Sequence, residues 1–154
     1  MKAPWLVEAQ HDLGMKELIA GELNPSVRAM FHYTDFPLDM VNKRTPWCAA
    51  AVCAWLERAG VRSPRTARAA NFARYGTEVA LEHAQPGDIV VFGKADPDAG
   101  GSGHVALFWQ RRGELVDVLG ANQSNRVCIA PRSVVRITAI RRPTRAAGID
   151  GAVE

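Results

Sequence analysis

The chain changes its hydrophobic period near residue 88, and that switch limits its folds more than any other feature of the sequence. Before it, apolar residues recur at helical spacing. Pro4 opens a first helix, Leu6, Ala9 and Leu13 share a face, and Gly14 stops it. "NPSVRAMFHY" repeats the logic, with Asn24 as cap, Pro25 in the first turn, and Val27, Met30 and Phe31 as the apolar stripe. Residues 34–44 read as a loop. "TPWCAAAVCAWLERAG" reads as a third helix capped by Thr45, with Pro46 at its first position and Val52, Trp55 and Leu56 as anchors. "SPRTARAANFARYG" predicts a fourth helix, with Ser63 as cap, Pro64 behind it and Gly76 at its end.

After the switch come short β-branched runs with aromatics: "DIVVFG" (88–93), "HVALFWQ" (104–110), "ELVDVLG" (114–120), "RVCIA" (126–130) and "VVRITAIR" (134–141). Turn residues separate them, including "QRRGE" and the long glycine-rich "KADPDAGGSG" (94–103). Helices first and strands later predict an α+β fold, with the third helix packed on an antiparallel sheet of about five strands. A length of 154 residues fits one domain, expected over 1–143, with 144–154 as a tail that has little to bury.

Composition excludes several function classes. No apolar run approaches the roughly 18 residues of a membrane span, so no membrane insertion is expected. The N-terminus lacks an apolar run of signal-peptide length, so synthesis in the cytoplasm without export by that route is expected. A net charge of +3 and a pI near 9.0 favour anionic surfaces. The arginines are spread, however, with no interleaved aromatic stripe, so no nucleic-acid partner is expected. Three cysteines make no disulfide framework, and the Cys48–Cys53 spacing is not that of a zinc site. Asp96 and Asp98 do not continue into a calcium-binding loop. No metal or cofactor is expected.

The three cysteines are not equivalent. Cys53 falls inside a helix and Cys128 within a strand, the usual places of inert buried thiols. Cys48 falls in the first turn of its helix, where unpaired N–H groups and the helix dipole favour a thiolate and can bind an oxyanion. Thiol acyl transfer also needs a histidine and a third polar group to orient it. Of the four histidines, His11 and His32 lie in predicted helices and His83 precedes a turn. His104 opens a strand directly after "GGSG", with room on one side and rigid support on the other. Asn122 in "LGANQSN" can hydrogen-bond an imidazole, Gln123 is its neighbour, and Asp117 is a competing orienter in mid-strand.

Four motifs in order, "PWCAAAVCAWLERAG", "QPGDIVVFG", "GHVALF" and "VLGANQSN", resemble the CHAP and NlpC-type papain-like peptidoglycan hydrolases, particularly small single-domain proteins of phages and bacterial genomes. The resemblance runs from about Trp5 to Pro143. It implies Cys48 as nucleophile, His104 as general base and Asn122 as the orienting residue. It further implies Trp47 and Gln123 at the substrate and Asn42 as an aid to the oxyanion, as a glutamine serves in papain. Gly120 and Ala51 depart from the pattern, which often has an acidic residue and an aromatic there. The implied substrate is peptidoglycan, cut as an endopeptidase or an N-acetylmuramoyl-L-alanine amidase. A monomer is implied, reaching the wall by release through a pore-forming partner, by injection alongside an immunity partner, or on a phage tail. The alternatives on the same fold are an acyltransferase or protease acting elsewhere, and a binding module without activity.

Overall fold

The computed structural model describes residues 2–93 and 103–144. The glycine-rich segment 94–103, apart from Gly103, and residues 145–154 of the expected tail lie outside the described residues, and so does the question of calcium at Asp96 and Asp98. The fold is α+β.

Three helices form in the first half: α1 (Pro4–His11), α2 (Pro25–Met30) and α3 (Cys48–Arg58). Asn24 caps α2 as its sequence predicts, its side chain accepting the Ser26 N–H at 2.9 Å. α1 stops at His11, and Leu13 is left exposed beyond it, while the Gly14 N–H turns to donate to the Val127 carbonyl. Between α1 and α2 lies a short hairpin, β1 (Leu18–Ile19) and β2 (Glu22–Leu23), which the periodicity gave no sign of.

Two expected helix features are corrected. α3 begins at Cys48 itself, with Trp47 before it and no side-chain cap. The Thr45 hydroxyl is occupied one turn earlier, accepting the Asn42 N–H at 3.0 Å. The fourth helix does not form. Ser63 donates to Glu57 on α3 at 2.8 Å and accepts the Arg65 N–H, and Thr66 accepts from Arg68 and Asn71. These side-chain bonds compete with helical ones, and only a 3-10 segment at Ala69–Arg74 remains.

The strands are β3 (Thr77–Glu78), β4 (Ile89–Phe92), β5 (His104–Arg112), β6 (Leu115–Gln123), β7 (Arg126–Ser133) and β8 (Ile137–Arg142). Apart from β1 and β2, they form one antiparallel sheet in the order β3-β8-β4-β5-β6-β7. The sheet thus has six strands, one more than expected, because β3 adds two polar, exposed residues at an edge. The unbroken apolar run of β4 reflects burial on both faces. Ile89 and Val91 join Val105, Leu107 and Leu119 in the core shared with α1 and α3, which holds Trp5, Trp47 and Trp55. Val90 and Phe92 join Ala106, Phe108, Val116 and Val118 in a second cluster.

Polar bonds fix how the layers meet. Asp12, just past α1, accepts the Trp55 Nε1–H at 2.9 Å and pairs with Arg58, tying α1 to α3. Asp88 accepts two hydrogen bonds of 2.8 Å from Arg142, so the "PGD" turn clamps β4 to β8.

At the far end of the β5–β6 hairpin, Asp117 accepts two bonds of 2.8 Å from Arg112 and another from Gln110. Those bonds, Arg112's first, hold its carboxyl down to about 2 from 3.8. A depressed carboxylate contributes stability that is present above its unfolded value and is lost as pH falls through the folded one. Acid unfolding followed by circular dichroism is therefore expected to place the wild type above Asp117→Asn near neutrality. The gap should close between about pH 4 and about pH 2. A gap that persists unchanged through that window would exclude the pair as its source.

Candidate active site

Cys48 opens α3 and is 6% exposed. The first helical bond is from Ala51 N–H to Trp47 carbonyl, so the N–H groups of Cys48, Ala49 and Ala50 have no acceptor within the helix. Burial pushes the Cys48 thiol up, opposed by backbone hydrogen bonds at Val105, Ala49 and Cys48 and by the charge of Arg132. The expectation of a thiol lowered by the helix start is thereby corrected: the helix-terminal donors are present, but removal from water outweighs them. The bond at Val105 sets the sulfur against β5, one residue after His104.

His104 is the first residue of β5 and is 3% exposed. Gly103 before it has φ +88°, and a side chain there would press on the Phe92 carbonyl at 3.2 Å. The glycine of the "GH" pair is thus a requirement of the backbone. His104 Nε2 lies 3.0 Å from Gln123 Oε1 at the end of β6.

The Gln123 amide has one possible orientation. Its Nε2 donates to the Cys128 carbonyl at 2.8 Å and approaches the Gly120 carbonyl at 3.4 Å, so a flip would set oxygen against oxygen. Oε1 therefore faces His104 and also accepts from Arg132 Nε at 3.3 Å. An acceptor opposite Nε2 makes that ring nitrogen the N–H. Gly120 is needed here: a Cβ would meet Ala106 at 2.7 Å and Gln123 Oε1 at 3.2 Å. Its departure from the family pattern makes room for this amide.

The other expected site residues lie elsewhere. Asn122 faces the start of α3. Its backbone is left-handed (φ +61°), and its Oδ1 accepts the Trp47 N–H at 3.0 Å, so it ties the end of β6 to the start of α3. Trp47 has no exposed surface, and its Nε1–H donates to Glu17 at 2.9 Å, which leaves no face for a substrate. Gln123, 3% exposed, faces the histidine instead of a ligand. Asn42 is spent in its own turn, its Oδ1 accepting the Arg44 N–H at 2.7 Å. Asp117 is held by Arg112, and His11, His32 and His83 are exposed. Cys53 is buried and donates to the Thr66 carbonyl, a core thiol as expected. Among the described residues, no group of acidic, histidine or cysteine side chains is arranged to hold a metal.

Sequence reasoning missed Gln123 as the partner of His104 and missed Arg132 altogether. Strand alternation lets only one of two adjacent residues face His104, but the order of residues does not say which. A bulge between Gly120 and Gln123 resets that alternation.

The NlpC/P60 family pattern matches residues 41–139, which span α3, His104 and Gln123. The chain belongs to the NlpC/P60 family. Membership in NlpC/P60 carries cell-wall peptidase or hydrolase activity in the broad sense, typically that of a cysteine peptidase. Among solved structures, the P60 domain of an M. avium paratuberculosis antigen superposes with a TM-score of 0.53 at 15% identity. The match covers 92% of this chain and 91% of that one. At such identity the likeness carries the NlpC/P60 fold alone. No curated protein matches the chain.

Proposed function

We propose that this protein hydrolyses amide or peptide bonds of peptidoglycan, with Cys48 as nucleophile, His104 as general base and Gln123 as the residue that orients the histidine. The observation that carries this reading is the His104–Gln123 hydrogen bond at the strand mouth, on the strand that Cys48 packs against at the helix start.

The proposed chemistry has two stages. Burial pushes the Cys48 thiol up, and in this reading His104 Nδ1 takes its proton as sulfur attacks the carbonyl carbon. The N–H groups at the start of α3 face the developing oxyanion. Collapse breaks the C–N bond, the leaving amine takes the proton from His104, and a thioester remains. Water, deprotonated by the same nitrogen, adds to the thioester and releases the acid and the thiol. The Gln123 carbonyl keeps Nε2 as the N–H throughout and stabilises the imidazolium. The enzyme would act as a monomer on the wall side of the membrane, delivered through a pore-forming partner or by injection with an immunity partner.

Mass spectrometry of muropeptides from purified sacculi tests this. A new amine within the stem peptide identifies an endopeptidase, and stem peptides freed from muramic acid identify an amidase. Intact sacculi with bound protein would instead establish a binding module. Gln123→Ala is expected to slow release by about 10²-fold or more, in the range of general-base assistance. Asn122→Ala is expected to cost about 1 kcal/mol of stability, as for a lost helix-terminal bond, and to slow release far less. The reverse ranking would assign the orienting role to Asn122.

A further inference from the structure

The chain of contacts at His104 does not end at Gln123. Gln123 Oε1 also accepts from Arg132 Nε on β7 at 3.3 Å. The Arg132 guanidinium lies over the Phe92 ring, 5.6 Å from its centroid, and the same ring is 6.0 Å from the His104 imidazole. Phe92 and His104 are direct partners in the β4–β5 register. One aromatic ring on β4 thus carries the cation on one part of its surface and the imidazole beside it. Gln123 and His104 are almost wholly buried, whereas Arg132 is partly exposed, so Arg132 is the outermost member of the row Arg132–Gln123–His104.

We propose that Arg132 is a positioning residue: its guanidinium clamps Gln123 Oε1 in place and closes the His104 Nε2–H···Oε1 bond against water. A planar guanidinium suits both contacts, since its edge donates Nε–H to the amide while its face lies on Phe92. An ammonium has a charge but no face and no fixed in-plane donor, so lysine does not replace it. The clamp also places a positive charge near Cys48, in the sense that favours negative charge on sulfur during attack. The role of Arg132 in turnover rests on the reading of Cys48, His104 and Gln123 as the reacting set. Its role in holding the histidine does not.

The test is a long-range proton–nitrogen correlation spectrum of the histidines in the wild type, Arg132→Lys, Arg132→Met and Gln123→Ala, with thermal midpoints measured alongside. The wild type is expected to show His104 as a single Nε2–H tautomer whose proton exchanges slowly with solvent, and Gln123→Ala to lose that signature. Both Arg132 variants are expected to remain folded, with Nε2–H exchange quickened and kcat for muropeptide release lowered, each about tenfold, at unchanged KM. Wild-type exchange in Arg132→Met would overturn the proposal. So would full rescue by lysine, which would leave the charge as the only contribution. If no muropeptide is released by any form, the peptidoglycan reading fails while the exchange data still decide the role of Arg132.

Discussion

Cys48→Ala is expected to leave a folded protein whose release of muropeptides has fallen at least about 10⁴-fold, the order of loss when a covalent nucleophile is removed. Only one sulfur atom leaves the start of α3, so the thermal midpoint should stay close to that of the wild type. Cys53→Ala supplies the contrast. Its thiol is buried in the middle of α3, its hydrogen bond goes to the Thr66 carbonyl, and its loss should cost some stability but little activity. Paired assays on one sacculus preparation, with circular dichroism on the same samples, read both effects. Residual activity of Cys48→Ala above a tenth of the wild type would route the reaction away from this thiol.

Trp47→Ala is expected to produce the largest loss of stability of any single change near the site, about 3–5 kcal/mol. The ring has no exposed surface, and its removal leaves both a cavity and the Glu17 carboxylate without its indole donor in a buried setting. A domain of this size has about 5–15 kcal/mol in total, so the variant should unfold at a markedly lower urea concentration. Trp47→Phe keeps most of the packing and isolates the Glu17 bond, at about 1.5–3 kcal/mol for a hydrogen bond to a charged group. An unchanged urea midpoint together with a raised KM would restore the expectation of Trp47 as a substrate contact.

What was legible in the sequence was what local chemistry decides. The Asn24 cap and Pro25 define α2 through bonds spanning two or three residues, and they stand as expected. The apolar runs of β4, β5 and β6 were readable because β4 is buried along its whole length and β5 and β6 along most of theirs. The fourth helix failed even though Ser63 accepts the Arg65 N–H as a cap would, because the Arg65 backbone turns left-handed (φ +51°) and leaves the helical path. β3 escaped notice because two exposed polar residues carry no period.

The site divides in the same way. Cys48 and His104 were marked by their neighbours, a helix start and a glycine run. The choice between Asn122 and Gln123 was hidden, because it depends on a bulge that follows from pairing with β7 rather than from the order of residues. The electrostatics of the thiol were half legible. The helix terminus can be read from "TPWC", but the depth at which Cys48 is buried depends on the strand packed against it.

Asn122 and Gln123 are consecutive, yet one grips the backbone before the nucleophile and the other grips the base. Beside the shared core, one dipeptide thus grips both the start of α3 and the strand that carries the histidine. This makes the two ends of the β5–β6–β7 meander unequal in their tolerance of length change. An extra residue ahead of Asn122 would shift both grips at once and separate sulfur from imidazole. The turn at Gly113, at the opposite end of the hairpin, is coupled to neither grip. It is the place where loops can lengthen, or a wall-targeting module be grafted, without disturbing the distance on which the chemistry depends.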